Sequence, residues 1–386
     1  MSKELGYVLV TPYTLRKSRT GGVIGRLLST TGLDLVAARM FGPSTELVQR
    51  FAALVRSEEQ VWPEIRELLA DYIEREFKPI EDGHVHRVLM LLFEGENAVQ
   101  KLRDAIGGFE DSVESADTIR GTYGDFIRDE AGNVTYFEPA VLVAPSKEIV
   151  KDTLALWAEY TETDGGILDH AIRLADDQNV QKTLVIIKPD NFTFPSSRPG
   201  NIIDLFSRSG LRLIGAKVLR MSLAEAMEFY GPVQAVLREK LGGMAVERAC
   251  KALKEEFGYD MPPAVVDALG ETFGPSFGDY QFYSIMQFMT GHWAPDFSED
   301  QTGAEGAVRC MTLVYAGPNA VEKIRNILGP TDPRKAAPGS VRKEFGTDIM
   351  VNAAHASDSP ENALREIGIV KVAEDTIKRW YETYFS

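Results

Sequence analysis

Cysteine is scarce in this chain of 386 residues, which has only Cys250 and Cys310. The two lie far apart and form no Cys-x-x-Cys pair, so a disulfide framework and a cysteine-based structural zinc site are both excluded. No apolar run approaches the roughly eighteen residues that a membrane span needs, and the first residues show no apolar leader segment. We therefore expect a cytoplasmic protein with no membrane partner.

Positive charge is also in short supply. The chain has 42 Lys and Arg against 57 Asp and Glu, a formal net charge of −15. Proteins that bind nucleic acid through its phosphates normally present a basic face. Because this chain is acidic, we expect no nucleic-acid partner. An acidic protein can still bind a nucleotide through a local cluster of arginine and lysine or through a magnesium ion.

An internal repeat organises the chain. The segment LLFEGENAVQKLRDAIGG at 91–108 matches LVYAGPNAVEKIRNILGP at 313–330, with Arg103 opposite Arg325 and Gly107 opposite Gly329. Each segment is an apolar strand, a turn at glycine and a helix with apolar residues at helical spacing. Upstream, the strand that ends at Thr11-Pro12 matches the one that ends at Lys188-Pro189. The sequence thus contains two copies of one domain.

Strands and helices alternate in both copies, and the strands are too few for a doubly wound sheet. This order predicts an α/β protein of the α+β kind: two ferredoxin-like domains, each a four-stranded, mostly antiparallel sheet with helices on one face. We place the first domain at 1–158, a linker at 159–181 and the second domain at 182–386. The distance between matched positions grows by about forty-five residues along the repeat, which predicts a helical insert at about 231–279 in the second domain.

The segment from Asn352 to Glu361, NAAHASDSPE, is the one most suggestive of chemistry. Ser359 suits an N-cap and Pro360 the first helical position, so we expect His355 at the end of a strand just before a helix. A neutral imidazole is a nucleophile at pH 7, and a carboxylate on its other nitrogen fixes its tautomer. A lone histidine near a strand end is more commonly a packed or surface residue, so the motif needs support from elsewhere.

Several separate motifs in the second copy supply that support, because together they resemble the nucleoside diphosphate kinase family. The resemblance spans nearly all of 182–372 outside the insert. The matching features are Lys188-Pro189-Asp190 after the opening strand, Tyr230 closing EAMEFY, the series Arg325, Thr331 and Arg342, the Asn-x-x-His-x-Ser-Asp-Ser string from Asn352 to Ser359, and Glu366.

The resemblance implies a ping-pong reaction in which a nucleoside triphosphate phosphorylates His355 and a nucleoside diphosphate then takes the phosphoryl group. Glu366 and Ser357 would orient the ring. The implied nucleotide contacts are Arg325, Arg342 and Thr331 on the phosphates, Tyr230 near the transfer, and Lys188 and Asn352 on the sugar hydroxyls and terminal phosphate. Mg²⁺ would bridge the phosphates, with Asp358 touching it through water.

The base pocket and the local turn are open to alternatives. Phe282 and Met286 resemble the residues that sandwich the base, but an amphipathic helix that packs its aromatic stripe into a core would look the same. Ala356 stands where the family usually has glycine, so the turn there can differ. Family members usually assemble as hexamers of single domains, which implies a homo-oligomer built from pseudo-dimeric chains.

The first copy lacks the reactive group. In the same register Thr11 replaces the lysine, Phe109 the threonine and Leu142 the histidine, whereas Arg103 and Arg120 remain. Leucine cannot form a phosphoramidate, so this copy either supplies half of a pseudo-symmetric dimer or keeps residual nucleotide binding. For the whole chain, the alternative to a kinase is a non-catalytic nucleotide-binding sensor or scaffold.

Overall fold

The structure is a computed structural model that describes residues 3–109, 117–171 and 180–386. The predicted linker residues 172–179 lie outside the described part. The first copy consists of β1 Glu4–Val10, α1 Pro12–Arg16, α2 Thr20–Thr31, β2 Asp34–Phe41, α3 Thr45–Arg56, α4 Pro63–Glu76, β3 Val88–Gly95, α5 Ala98–Ile106, α6 Ile119–Tyr123, β4 Asp125–Arg128, β5 Val134–Glu138, β6 Val141–Val143, α7 Lys147–Glu159 and α8 Thr161–Asp164.

The second copy repeats this order with a long helical interruption. Its elements are β7 Val180–Ile187, α9 Arg198–Ser207, β8 Arg212–Leu219, α10 Leu223–Phe257, α11 Pro263–Thr290, β9 Cys310–Pro318, α12 Ala320–Leu328, α13 Val341–Phe345, β10 Ala354–Ala356, α14 Pro360–Ile369 and α15 Ile377–Phe385. The chain forms two compact units, one of 1–219 with 311–386 and one of 220–310. Both repeat copies therefore contribute their sheets to the same unit.

The two sheets have the same topology. Among the described residues, the first is a four-stranded sheet in the order β2-β3-β1-β6, and the second is a four-stranded sheet in the equivalent order β8-β9-β7-β10. Backbone angles repeat as well, because Asn97 and Asn319 both have φ 53° and Gly107 and Gly329 have φ 83° and 84°. Asparagine and glycine are the residues that tolerate this left-handed region. The α+β fold with two ferredoxin-like sheets is confirmed.

Helices cover both faces of the first sheet, so the expectation of helices on one face is wrong here. Along β1, Val8 and Val10 join a core with α2 and α5, whereas Tyr7 and Leu9 join a second core with α3, α4, α7 and α15. The strand is apolar at nearly every position because neither face meets water. The first copy also has a small antiparallel hairpin, β4 with β5, that the sequence pattern did not predict.

The two copies pack together through equivalent elements. Their shared core continues from Val23 and Leu27 of α2 to Ile202 and Phe206 of α9. A Cβ atom at Gly200 would lie 2.2 Å from the carbonyl oxygen of Gly21, so the helix backbones cross too closely for any side chain at that point. The single chain thus builds a pseudo-symmetric pair of domains.

A short segment after α8 connects the edge strands β2 and β8. The backbone N–H of Gly166 donates to the carbonyl of Met40 (2.8 Å), and that of Leu168 donates to Ile214 (2.9 Å). Exposed edge strands invite pairing with other chains, and this segment occupies part of both edges.

The C-terminal tail of the second copy lies on the first copy. Helix α15 packs against α7 and β2. The buried guanidinium of Arg39 donates to the carbonyls of Ala373 (2.9 Å), Glu374 (2.8 Å) and Thr161 (2.7 Å). The hydroxyl of Tyr384 donates to Glu94 Oε1 (2.6 Å). The two copies are therefore joined by polar contacts as well as by the shared core.

The other unit is a helical hairpin, and the helical nature of the insert is confirmed. Ser222 caps α10 in a capping box with Glu225, and α10 packs along α11 over much of their length. A Cβ atom at Gly278 would lie 2.5 Å from the Cα of Arg238, so glycine is what permits this close approach. The bidentate pair of Arg238 with Asp279 joins the two helices at the same level. Among the described residues, no helix is long and apolar enough to cross a bilayer.

Candidate active site

His355 lies in the middle of the short edge strand β10. It pairs with Ile186 in β7, and its neighbour Ala356 pairs with Val185. Helix α14 follows at once, with the side chain of Ser359 accepting from the Asn362 N–H (3.1 Å) and Pro360 in the first turn. Ala356 has ordinary extended backbone in this strand, so alanine is accommodated here without strain.

Glu366 holds the imidazole from one side. Its Oε2 lies 3.0 Å from His355 Nε2 and accepts a 2.6 Å hydrogen bond from the Ser357 hydroxyl. The carboxylate side chain is only 6% exposed, whereas the imidazole is 22% exposed. A carboxylate oxygen accepts and does not donate, so the proton between the two groups belongs to Nε2. In that tautomer the in-plane lone pair is on Nδ1.

Arg342 braces the backbone around the histidine. Its Nη1 donates to the carbonyl of Gly329 (3.0 Å) and its Nη2 to that of Ala354 (3.2 Å), the residue before His355. A guanidinium has five N–H donors in a planar fork, and these two backbone bonds fix its orientation. The charge of Arg342 is in this way fixed next to the imidazole.

Lys188 lies almost fully buried at the end of β7. Its Nζ donates to Asn352 Oδ1 (2.7 Å) and to the carbonyl of Met350 (3.2 Å). Burial, with a smaller contribution from the positive charge of Arg342, lowers the pKa of Lys188 to about 8. Asn352 is itself held by bonds from its Nδ2 to the carbonyls of Thr331 and Ile349. The amine is therefore placed by a network of hydrogen bonds.

Arg325, Thr331 and Asp358 are exposed residues around this strand. Arg325 is on α12, which packs against β10. Asp358 Oδ1 accepts a bond from Asn362 Nδ2 (2.7 Å). The described residues contain no group of three or more His, Cys, Asp or Glu that could hold a metal ion. One exposed carboxylate fits a Mg²⁺ that is bound mainly by phosphates and water rather than by a protein cage.

Three predicted residues belong to the other compact unit. Phe282 and Met286 are 3% and 0% exposed on α11, so their burial favours packing over contact with a base. Tyr230 is buried on α10, where its ring contacts that of Phe229. Its role at the site of transfer stays a prediction.

Sequence reasoning missed Asn191. Ala353, two residues before His355, has φ 69°, a conformation that costs an alanine about 1 kcal/mol or more. Asn191 Nδ2 donates to the Ala353 carbonyl (2.8 Å), and the Lys188 N–H donates to the same oxygen (3.0 Å). These bonds hold the turn that presents the histidine. The signal was present, since Asn191 follows Lys188-Pro189-Asp190 directly.

The first copy has the same frame without the reactive groups. Leu142 pairs with Leu9 in β1, as His355 pairs with Ile186 in β7. Thr153 follows Leu142 at the spacing at which Glu366 follows His355, and its hydroxyl accepts from Tyr7. The structure therefore agrees with the predicted register, in which a leucine occupies the place of the nucleophile.

Arg120 keeps the backbone contacts of its counterpart Arg342. It donates to the carbonyls of Gly107 and Val141, the residues equivalent to Gly329 and Ala354. Its guanidinium lies 3.8 Å from the ring centre of Phe109, a cation–π contact.

In the first copy, Thr11 occupies the position that Lys188 has in the second copy. Thr11 and Tyr72 donate their hydroxyls to Glu138, whose pKa burial raises to about 7. A neutral hydroxyl and a carboxyl group thus replace the cation.

Comparison with known proteins gives consistent matches. The sequence model of the family described as nucleoside diphosphate kinase matches residues 4–135 and 284–375, together more than half of the chain. Curated relatives named nucleoside diphosphate kinase include that of Campylobacter hominis, 32% identical over 188 residues that cover 49% of this chain and 93% of that protein. That of Wolinella succinogenes is 34% identical over 188 residues, with the same two shares.

Solved structures of similar proteins cover half of the chain. The Aquifex aeolicus nucleoside diphosphate kinase is 28% identical, covering 50% of this chain and 94% of that one with a TM-score of 0.31. The NDP kinase from Pyrobaculum aerophilum is 28% identical, covering 49% and 94% with a TM-score of 0.34.

Proposed function

The chain belongs to the nucleoside diphosphate kinase family of phosphotransferases, and we propose that its second copy carries the activity by a ping-pong mechanism through His355. The observation that supports this most is the bond between His355 Nε2 and Glu366 Oε2, which leaves Nδ1 as the nucleophilic nitrogen. In the first copy a leucine stands at the equivalent position.

In the first half-reaction Nδ1 attacks the γ-phosphorus of a nucleoside triphosphate. The new N–P bond forms as the bond from the γ-phosphorus to the β–γ bridging oxygen breaks, and the nucleoside diphosphate leaves. Positive charge develops on the ring during this step, and the buried Glu366 carboxylate beside the Nε2 proton stabilises it.

In the second half-reaction a terminal phosphate oxygen of another nucleoside diphosphate attacks the phosphohistidine. The N–P bond breaks, its electron pair returns to Nδ1, and the imidazole is ready for the next cycle. No proton has to enter or leave the ring, because the proton stays on Nε2, hydrogen-bonded to Glu366, throughout.

Fixed cations hold the phosphates during both halves. Arg342 is anchored beside the strand by its two carbonyl bonds, and the exposed Arg325 and Thr331 are the other proposed phosphate contacts. Lys188 and Asn352 act as a hydrogen-bonded pair toward the sugar and terminal phosphate. A bound Mg²⁺, next to Asp358, would neutralise phosphate charge and so make the phosphorus more open to attack.

We propose the division into a first domain at 1–158, a linker at 159–181 and a second domain at 182–386 with its insert at about 231–279. The crossing of α2 and α9 supports a pseudo-dimeric chain, and we propose that such chains form a homo-oligomer in the cytoplasm.

Labelling with γ-³²P nucleoside triphosphate tests the proposal. The full-length protein is expected to acquire label that is lost in acid, is stable in base and moves to an added nucleoside diphosphate with a different base. A protein that binds nucleotide but acquires no label, and passes none on, would be a non-catalytic sensor or scaffold instead.

The exchange Glu366→Gln tests the positioning of the ring. An amide can donate as well as accept, so it no longer fixes the proton on Nε2, and it cannot stabilise the ring charge. We expect kcat to fall by roughly 10- to 100-fold with little change in KM. The matched control is Glu361→Gln, an exposed carboxylate on the same helix, which should change neither constant. Equal losses in both variants would contradict the role of Glu366.

The depressed pKa of Lys188 predicts an alkaline limit. Below pH 8 the Lys188 amine is protonated and can attract phosphate. Above pH 8 the amine is deprotonated and neutral, although the side chain keeps its position. We expect kcat/KM to decline as pH rises through about 8, and this decline to be absent in Lys188→Met, whose overall activity is low at every pH. A steep decline near pH 8 that persists in Lys188→Met would show that another group is responsible.

A further inference from the structure

The first copy contains a cavity of about 610 Å³ that the proposed reaction does not use. It lies between α4 with the segment before it and α5 with the turn after it. Val61, Trp62 and Ile65 line the first side, and Arg103, Gly107 and Phe109 line the second. A volume of this size is typical of sites for small ligands.

Two arginines on the second side stand where the other copy has its proposed phosphate contacts. Arg103 matches Arg325 in the repeat, and Arg120 repeats the backbone bonds of Arg342. Arg103 Nη1 donates to the carbonyl of Pro145 (3.0 Å), which positions its charge at the cavity. A third lining arginine, Arg128, makes a bidentate pair with Glu64 (2.8 and 2.9 Å), so its charge is balanced locally.

Aromatic surface on the other side of the cavity suits a flat ligand. Trp62 on the first side is 73% exposed although it lines the cavity, and Phe126, which also lines the cavity, forms an edge contact with Phe109 of the second side. A base that stacks on an exposed tryptophan gains roughly 1–3 kcal/mol. The cavity thus combines an aromatic side with a cationic side.

We propose that this cavity binds a nucleotide without catalysing phosphoryl transfer. The phosphates would lie at Arg103 and Arg120, and the base would lie at Trp62. The proposal rests on the proposed function of the second copy, since the assignment of the arginines comes from that site. Leu142 stands at the position of the nucleophile, so a nucleotide bound here keeps its phosphates. Each chain therefore has one site that reacts and one that only binds.

Titration calorimetry of the full-length His355→Ala chain with ADP tests this. We expect two ADP molecules per chain. Adding Arg103→Ala should weaken one of the two sites at least tenfold, and adding Arg325→Ala should weaken the other. Lys101→Ala removes the same charge from the same helix α5 at a residue outside the cavity, and both sites should persist. The proposal would be overturned if the chain bound only one ADP, at a site that Arg325→Ala abolishes and Arg103→Ala leaves intact. That outcome would leave the proposed function of the second copy standing.

Tryptophan fluorescence locates the bound base. ADP should quench the emission of the Arg325→Ala chain, and Trp62→Phe in that background should remove most of the quench. Adenosine should give a weaker quench, and pyrophosphate should bind with none, because only the whole nucleotide reaches both sides. A quench that survives Trp62→Phe would overturn the proposed placement, whereas absence of ADP binding in any variant, together with absence of label transfer in the unmodified chain, would also remove the proposed function.

Discussion

Replacement of His355 by alanine should abolish phosphoryl transfer between nucleotides and remove the acid-labile label. In the proposed mechanism this side chain supplies the nitrogen atom that forms the N–P bond. Loss of a covalent nucleophile costs orders of magnitude, so we expect kcat to fall by at least about 1,000-fold. A coupled assay of diphosphate conversion, with the labelling experiment beside it, measures both losses.

His84→Ala is the matched control for this variant. His84 is a half-buried histidine of the first copy that pairs with Asp82, remote in sequence from the proposed site. Its removal should leave both the label and the turnover unchanged. Label that persists in His355→Ala and disappears in another histidine variant would assign the chemistry elsewhere. ADP binding by His355→Ala confirms that the loss is one of chemistry and not of folding.

Replacement of Arg39 by alanine should be among the most destabilising single changes at a polar residue. Its guanidinium is buried and donates to three carbonyls, two on the C-terminal tail at Ala373 and Glu374 and one at Thr161. The exchange leaves these acceptors without that donor and removes the ion pair with Asp375. Breaking a buried charged network costs about 3–5 kcal/mol, so the free energy of unfolding should fall by that order.

Urea unfolding followed by circular dichroism measures this effect, and hydrogen exchange of α15 reports where it acts. Arg50→Ala is the matched control, because Arg50 forms an exposed pair with Glu159 and exposed pairs contribute little to stability. We expect faster exchange in α15 only for Arg39→Ala. Similar unfolding midpoints for the two variants would mean that the tail is held by its apolar contacts alone.

Local features of the site could be read from the sequence. Ser359 and Pro360 begin a helix in the structure as their residue types predict, because capping depends only on neighbouring atoms. The strand position of His355 follows from residue types in the same way, whereas its contact with Glu366 was implied by the family resemblance. The matched Arg103 and Arg325, and Leu142 at the place of His355, required only counting along the repeat.

Other features depended on contacts between distant segments. The carbonyl bonds of Arg342, the bond from Asn191 to Ala353 and the stacking of Arg120 on Phe109 have no signature in residue spacing. The expectation of helices on one face failed for the first sheet because its second face is covered by α3, α4 and α7 of the same copy together with α15 from the end of the chain.

The sequence by itself determined that this chain is a tandem repeat of one α+β domain, and that the first copy has Leu142 at the position where the second has His355. Those properties are local, because they depend on the order and spacing of residue types. Only the tertiary structure decided which imidazole nitrogen faces Glu366, how the tail ties the copies together, and that the first copy encloses a cavity between an exposed tryptophan and two arginines. These depend on which surfaces exclude water from one another, and burial is a property of the whole folded chain.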